Sequence, residues 1–256
     1  MEISLTSGET ETVWTVVAGT RMHARVSGSS GDGPAVVMVH GLVVSSRYMI
    51  PAMKRLALRH RVYAPDLPGF GKSGKPTRAA DVPGLSDALA CWMRKLGLER
   101  SALVGNSMGC QIIVELAVRH PDLVERVVLQ GPTMDPLARS TLRQIGRLLL
   151  DAPLESPSLL PIELLDYASA GTGRAWRTFR HALADCIEEK LTRVRAPALV
   201  VRGSRDPVCP QSWAEEAVGL LPEGQLVVLP GAAHTANYSA SDEFVRAIGP
   251  FLCGNA

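Results

Sequence analysis

The chain has 256 residues, 46% of them hydrophobic and 20% charged, and its 27 basic and 25 acidic side chains give a formal net charge of +2. These values describe a globular protein long enough for one sizeable core, and they exclude extensive disorder and the dense basic surface that nucleic-acid binding needs. No apolar run approaches the length of a bilayer, and the opening Met1-Glu2-Ile3-Ser4-Leu5-Thr6 lacks the basic and apolar parts of a secretory leader, so a cytoplasmic protein without a membrane span is expected.

In chain order, the β-rich runs Thr12 to Ala18 and Met22 to Ser27 precede any helical pattern and predict an antiparallel hairpin at one edge of a sheet. Ala35 to His40 is apolar through Val39, which fits a strand covered on both faces. Helical spacing from Arg47 to Arg59 is followed by a strand at Arg61 to Pro65, a helix at Leu85 to Leu96, a strand at Ala102 to Gly105, a helix at Met108 to Arg119 and a strand at Arg126 to Leu129. Between Gly131-Pro132 and Arg195-Ala196-Pro197 this rhythm stops. Helix-like pieces punctuated by Pro136, Pro153, Pro157 and Pro161 occupy the interval, without a persuasive strand. They predict a helical cap over 133–186, inserted into a body made of 1–132 and 187–256, with the piece near Cys186 to Val194 rejoining that body. A strand at Ala198 to Arg202, a helix at Gln211 to Leu221, a strand at Gln225 to Leu229 and a helix at Asp242 to Phe251 complete the chain. The alternation predicts a doubly wound α/β architecture with eight strands, mostly parallel.

One segment carries a strong chemical signal. Gly105-Asn106-Ser107-Met108-Gly109 has the spacing G-x-S-x-G, directly after a short strand and directly before a helix. A serine placed on so sharp a turn projects above the sheet at the positive end of the helix, and glycines flank it where side chains would collide with neighbouring backbone. Ser107 is therefore the expected nucleophile, and the Met108 N–H can point at an oxyanion formed on an attacked carbonyl. The second donor is expected from His40-Gly41-Leu42, where a buried strand ends: Leu42 first, Val43 as its alternative, with His40 bracing the loop. The cysteines Cys91, Cys110, Cys186, Cys209 and Cys253 are odd in number and lack a C-x-x-C pair, so they read as thiols, Cys110 packing under the turn.

A serine needs a base. His234, in Gly231-Ala232-Ala233-His234-Thr235, follows the last strand in a position suited to a mobile loop, whereas His23, His60, His120 and His181 lie in edge, helix-end or cap contexts. Asp206, in Gly203-Ser204-Arg205-Asp206-Pro207, ends a buried-type strand, where ligand sites of open sheets gather, and would orient the imidazole; Asp135 is the competing carboxylate. The order Ser107, Asp206, His234 is one of the known orders of such triads. Asp66 in Asp66-Leu67-Pro68-Gly69-Phe70-Gly71-Lys72-Ser73 reads as structural support, and the glycines that follow it lack the spacing of a phosphate-binding loop.

Through His40-Gly41, the Asp66 to Ser73 segment, the elbow, Asp206 and His234, the chain resembles the α/β-hydrolase superfamily along nearly its whole length. The resemblance implies that fold with a helical cap and a serine hydrolase acting on a small molecule with water, without cofactor or metal. An aspartate at the elbow, used by the epoxide hydrolases and dehalogenases of that superfamily, is replaced here by Ser107. Asn106-Ser107-Met108 is similar to the elbow of the meta-cleavage-product hydrolases, which cut carbon–carbon bonds in dienoates. Cys110 stands where that group usually has glycine, and Thr235-Ala236-Asn237-Tyr238 replaces its tryptophan-containing stretch. For an anionic dienoate, Arg174, Arg177 and Arg180 of the cap are the available cations, although arginines on a cap helix are more often simply solvated. The leading expectation is a small or medium, largely apolar ester or lactone as substrate. The alternatives are carbon–carbon cleavage and a non-catalytic ligand receptor on the same scaffold.

Overall fold

A computed structural model describes residues 10–28 and 34–254; the leader-free reading of Met1 to Thr6 lies outside the described residues. The chain opens with an antiparallel hairpin, β1 (Thr10–Val17) and β2 (Thr20–Ser27), followed by β3 (Ala35–Val39), α1 (Ile50–Leu56), β4 (Val62–Pro65), α2 (Val82–Lys95), β5 (Ser101–Asn106), α3 (Met108–Arg119) and β6 (Val124–Gln130). Three helices come next, α4 (Thr141–Asp151), α5 (Leu160–Ala170) and α6 (Thr172–Ala184), then α7 (Ile187–Leu191), β7 (Ala198–Gly203), α8 (Gln211–Leu220), β8 (Gly224–Leu229), α9 (Ala236–Ser239) and α10 (Ser241–Leu252). The eight strands form one sheet in the order β1-β2-β4-β3-β5-β6-β7-β8; β2 runs antiparallel to both its neighbours and the pairs from β4 to β8 are parallel. This is the mostly parallel eight-stranded sheet that the alternation predicted.

Both faces of the central strands are covered, which explains their unbroken apolar runs. Val37, Val39, Leu103, Val127, Leu129 and Val200 enter the core shared with α2, α3, α7 and α8. Their neighbours Val36, Met38, Ala102, Val104, Val128, Leu199 and Val201 enter the opposite core, with α1 and α10. The period of two thus divides one apolar string between two layers.

Some boundaries differ from the expected ones for local reasons. α2 begins at Val82 rather than Leu85, because Asp81 caps it through the Gly84 N–H (2.9 Å) and Pro83 sits in the first turn, where no N–H is needed. The stretch from Arg47 to Arg59 divides into a 3₁₀ turn over Ser46–Met49 and the short α1. Between β6 and β7 the chain adds no strand to the sheet, and α7 packs against α3 and α8. No helix among the described residues is long and apolar enough to cross a membrane.

The loops at the C-terminal ends of β3 and β4 are tied by one buried carboxylate. Asp66 accepts from the Ser46 N–H (2.7 Å) and the Lys72 N–H (2.9 Å), and lies 2.8 Å from His23 Nδ1. Burial opposes its charge, but these bonds outweigh that penalty and hold the carboxyl at about 2. Gly71 is obligatory beside it, since a Cβ there would stand 2.3 Å from Asp66 Oδ2. Asp66→Ala leaves these donors unpaired in the interior and is expected to lower unfolding free energy by roughly 3–5 kcal/mol, read from urea denaturation. Because the folded-state value lies below the ordinary 3.8, the gap between wild type and variant is full above pH 3.8 and closes as pH falls through about 2.

Candidate active site

Ser107 stands between β5 and α3 with φ 58° and ψ −124°, a conformation that costs a non-glycine residue about 1–3 kcal/mol. Packing explains why the chain accepts it. A Cβ on Gly109 would lie 2.3 Å from the Val39 carbonyl oxygen, and one on Gly105 would lie 2.7 Å from the Gly109 carbonyl. The chain can therefore turn from β5 into α3 beside β3 only with glycine on both sides. Backbone bonds from Ser107 N–H to the Gln130 carbonyl (3.0 Å) and from Cys110 N–H to the Ser107 carbonyl (2.9 Å) fix it. Cys110 is fully buried below, its Sγ 3.2 Å from the Gly105 carbonyl oxygen, and burial pushes its thiol well up, so it is no competing nucleophile.

The loop after β3 closes against this turn. His40 Nε2 accepts from the Leu67 N–H (3.0 Å), which leaves Nδ1–H to donate to the Gly41 carbonyl (2.8 Å); burial lowers the ring's pKa and favours that neutral form. Gly41 N–H donates to the Tyr48 hydroxyl (2.8 Å), which donates in turn to Asn106 Oδ1 (2.8 Å). A Cβ on Gly41 would come within 3.2 Å of Ser107 Cβ, so this residue sets how near the loop approaches. Val43, with φ 60°, turns the chain away. Leu42 and Met108 both line the cavity above Ser107, and the N–H of Met108, first residue of α3, has no acceptor within its own helix.

The structure pairs His234 with Asp206. His234 Nδ1 lies 2.9 Å from Asp206 Oδ2, while Asp206 Oδ1 accepts from the N–H groups of Val208 (2.8 Å) and Cys209 (2.9 Å). Asp135, the competing carboxylate, is engaged elsewhere: it accepts from Leu137 N–H and pairs with Arg147 at 2.7 Å. With Nδ1 committed, the His234 nitrogen left over is Nε2, which is buried and unpartnered among the described residues. Burial opposes protonation of this ring, but the Asp206 charge, its hydrogen bond and the nearby Asp151 and Glu155 carboxyls outweigh it, so the pKa is raised.

The loop carrying His234 is anchored rather than free, against the mobile loop suggested by its position. Its carbonyl accepts from Gln130 Nε2 (2.7 Å) and Asn106 Nδ2 (3.2 Å), its N–H approaches Asp151 (3.3 Å), and Thr235 bonds to Glu155. Gly131, directly after β6 with φ +56°, makes room for the ring: a Cβ there would lie 2.8 Å from His234 Nδ1 and 3.1 Å from Asp206 Oδ2.

Ser107 and His234 open into one cavity of about 130 Å³. Its walls are Leu42, Val44, Met134, Leu148, Phe179, Ala182 and Val208, with Tyr48, Thr133, Gln144, Asp151, Glu163 and Thr235 as polar groups. Among the described residues, no lysine or arginine lines it. Arg174 instead donates to the Pro76 carbonyl, and Arg177 and Arg180 face solvent. Burial raises the carboxyl of Asp151 to about 7, against the partial opposition of the His234 charge, and burial together with the charge of Glu155 raises Glu163. Sequence patterns give no sign of Tyr48, Gln130, Asp151 or Glu163, and Gly131 enters them only as the point, with Pro132, where the strand–helix rhythm stops. Outside the cavity, Cys186, Glu188 and Glu189 bring donor atoms within 4.8 Å of one another, but Arg139 already bonds to Cys186 Sγ and Glu188.

Gly131→Ala is expected to displace the imidazole and lower the turnover number by on the order of 10²-fold with little change in KM, in steady-state kinetics.

A model of the alpha/beta hydrolase family matches residues 36–247. Over 87% of this chain and 89% of its own length, the 2-hydroxy-6-oxo-6-phenylhexa-2,4-dienoate hydrolase of Burkholderia cepacia is 28% identical. Among solved structures, a membrane phospholipase A described as a bacterial virulence factor superposes with a TM-score of 0.83 at 25% identity, over 97% of this chain and 87% of the other. A thermophilic esterase from Thermogutta terrifontis superposes with a TM-score of 0.78 at 22% identity, over 94% and 98% of the two chains.

Proposed function

The chain belongs to the alpha/beta hydrolase family, and on that premise we propose that it cleaves an uncharged, largely apolar carboxylic ester or lactone of small or medium size through an acyl group carried on Ser107. The observation that carries this reading is the pairing of His234 Nδ1 with Asp206, which leaves a buried, unpartnered Nε2 in the cavity that Ser107 enters. In the proposed reaction, Ser107 Oγ attacks the carbonyl carbon as Nε2 accepts its proton, and Asp206 stabilises the resulting imidazolium. The oxyanion is held by the N–H groups of Leu42 and Met108, a contact of a kind that is worth about 10²–10³-fold in rate per donor. The imidazolium then returns its proton to the leaving alkoxide, and a water activated by the same nitrogen releases the acid and frees the serine.

Carbon–carbon cleavage of a dienoate is the second reading, favoured by Asn106 in the elbow and by the likeness to the Burkholderia cepacia enzyme. Cavity electrostatics separate the two. A dienoate carboxylate would meet Asp151 and Glu163 with no arginine or lysine among the described residues of the wall, whereas a neutral ester meets carboxyls whose raised pKa values favour the uncharged form. The phospholipase likeness points toward ester chemistry. A cytoplasmic location remains part of the proposal, supported by cysteines that are all free thiols.

A fluorophosphonate probe is expected to label the wild-type chain and not Ser107→Ala, and labelling that survives that substitution would contradict the assignment, as would a wild type that never reacts. On matched substrates, turnover of neutral esters without turnover of the dienoate supports the ester reading, and the converse supports carbon–carbon cleavage. Since His234 must be uncharged to accept a proton and its pKa is raised, kcat/KM should climb with pH through an apparent pKa above 6.5. Asp151 ionises above about 7 and its charge then supports the imidazolium, so Asp151→Asn should move that limb toward lower pH; a limb below 6.5 in the wild type would contradict the electrostatic account.

A further inference from the structure

Of the fourteen large hydrophobic side chains exposed among the described residues, eleven lie between Leu137 and Trp176. Helical periodicity shows how one segment serves two environments. On α4, Gln144, Leu148 and Asp151 line the cavity, whereas Leu142, Ile145 and Leu149, spaced three and four residues apart on the next arc, point away from it, Leu142 being 83% and Leu149 70% exposed. On α5, Leu160 and Leu164 repeat the spacing on the face opposite the buried Asp166 and Ala170, and Trp176 extends the apolar exposure onto α6. Large apolar side chains exposed in this number along one segment mark a contact site.

The charges on the same segment say what covers it. Between residues 133 and 186 the exposed charged side chains are Arg143, Arg177 and Arg180. Every carboxylate there is buried or half-buried, as Asp135 is by Arg147, Asp166 by Ser45 and Asp185 by Lys190. Exposed apolar side chains on a segment whose exposed charges are all arginines, with no exposed carboxylate, match a surface that is apolar within and negative at its face. That is the interface of a bilayer carrying anionic phospholipid. A symmetric contact between two copies would set the arginines of each against those of the other.

We propose that the outer faces of α4, α5 and α6 dock on an anionic phospholipid surface, with the leucines and Trp176 entering the headgroup region and the arginines against the phosphates. Leu148 lines the cavity and is itself 41% exposed, so the cavity wall continues into the docking face. Docking does not depend on the chemistry of Ser107.

The test is co-sedimentation of the full chain with vesicles of phosphatidylcholine alone or of an equimolar mixture with phosphatidylglycerol. Binding is expected to the mixed vesicles, to weaken with salt, and to be slight on phosphatidylcholine. Removing one arginine charge, as in Arg177→Gln, should lower the partition coefficient roughly fivefold. Leu149→Ser and Leu164→Ser should lower it by about tenfold or more while turnover of a soluble ester stays at the wild-type level, which shows that the variants are folded. No sedimentation with mixed vesicles, binding insensitive to these substitutions, or a concentration-dependent dimer that Leu149→Ser dissolves without any vesicle binding would each overturn the proposal.

Discussion

The site rests on one steric constraint, the passage of the chain between β5 and α3 through a left-handed serine with glycine on either side. Gly109 must tolerate the Val39 carbonyl, and Gly105 must tolerate Gly109 itself, or the strand and helix cannot come this close. Once they do, Ser107 is held at the C-terminal end of the sheet, and Asn106 is aimed by the Tyr48 hydroxyl and by the carbonyls of Gln130 and His234. The strain at Ser107 is offset by a two-layered core that holds β3, β5 and β6 on both faces. A parallel sheet supplies this arrangement naturally, because its strands all end at the same edge.

Electrostatics at that edge are divided between two kinds of carboxylate. Asp66 and Asp206 each accept two backbone N–H groups and lie against a histidine ring, and at Asp66 these bonds hold the carboxyl low. Asp151 and Glu163 have few such donors, and burial raises them instead. The difference is one of hydrogen-bond supply, and under the proposed function it leaves walls that suit a neutral guest while His234, the proposed base, keeps its carboxylate partner Asp206.

The eight strands and their order of appearance were legible in the sequence because each is a short apolar or β-branched run bounded by turn residues. Ser107, Asp206 and His234 stood out because each follows a strand end with its own glycine punctuation, and the structure brings His234 onto Asp206 and into the cavity of Ser107. The groups that aim them were not legible. Tyr48 meets Asn106 across 58 positions, Asp151 meets His234 across 83, and Gln130 meets His234 across 104. No local pattern encodes such meetings, which depend on how strands and helices pack. The arginines of α6 illustrate the same dependence on packing: the sequence offers Arg177 and Arg180 as cap cations or as solvated side chains, and they face solvent because Ala175, Thr178, Phe179 and Ala182 claim the inward side. Amphipathicity identifies two faces, and only packing shows which one meets the cavity.

The account turns on whether an acyl group passes through Ser107. Rapid quenching of the chain during turnover of an apolar nitrophenyl ester, followed by peptide mass spectrometry, reads this directly. The account predicts an acyl mass on the peptide containing Ser107, present during turnover and gone when substrate is exhausted. Nitrophenol release with no acylated peptide, or with the acyl group on another residue, would contradict it.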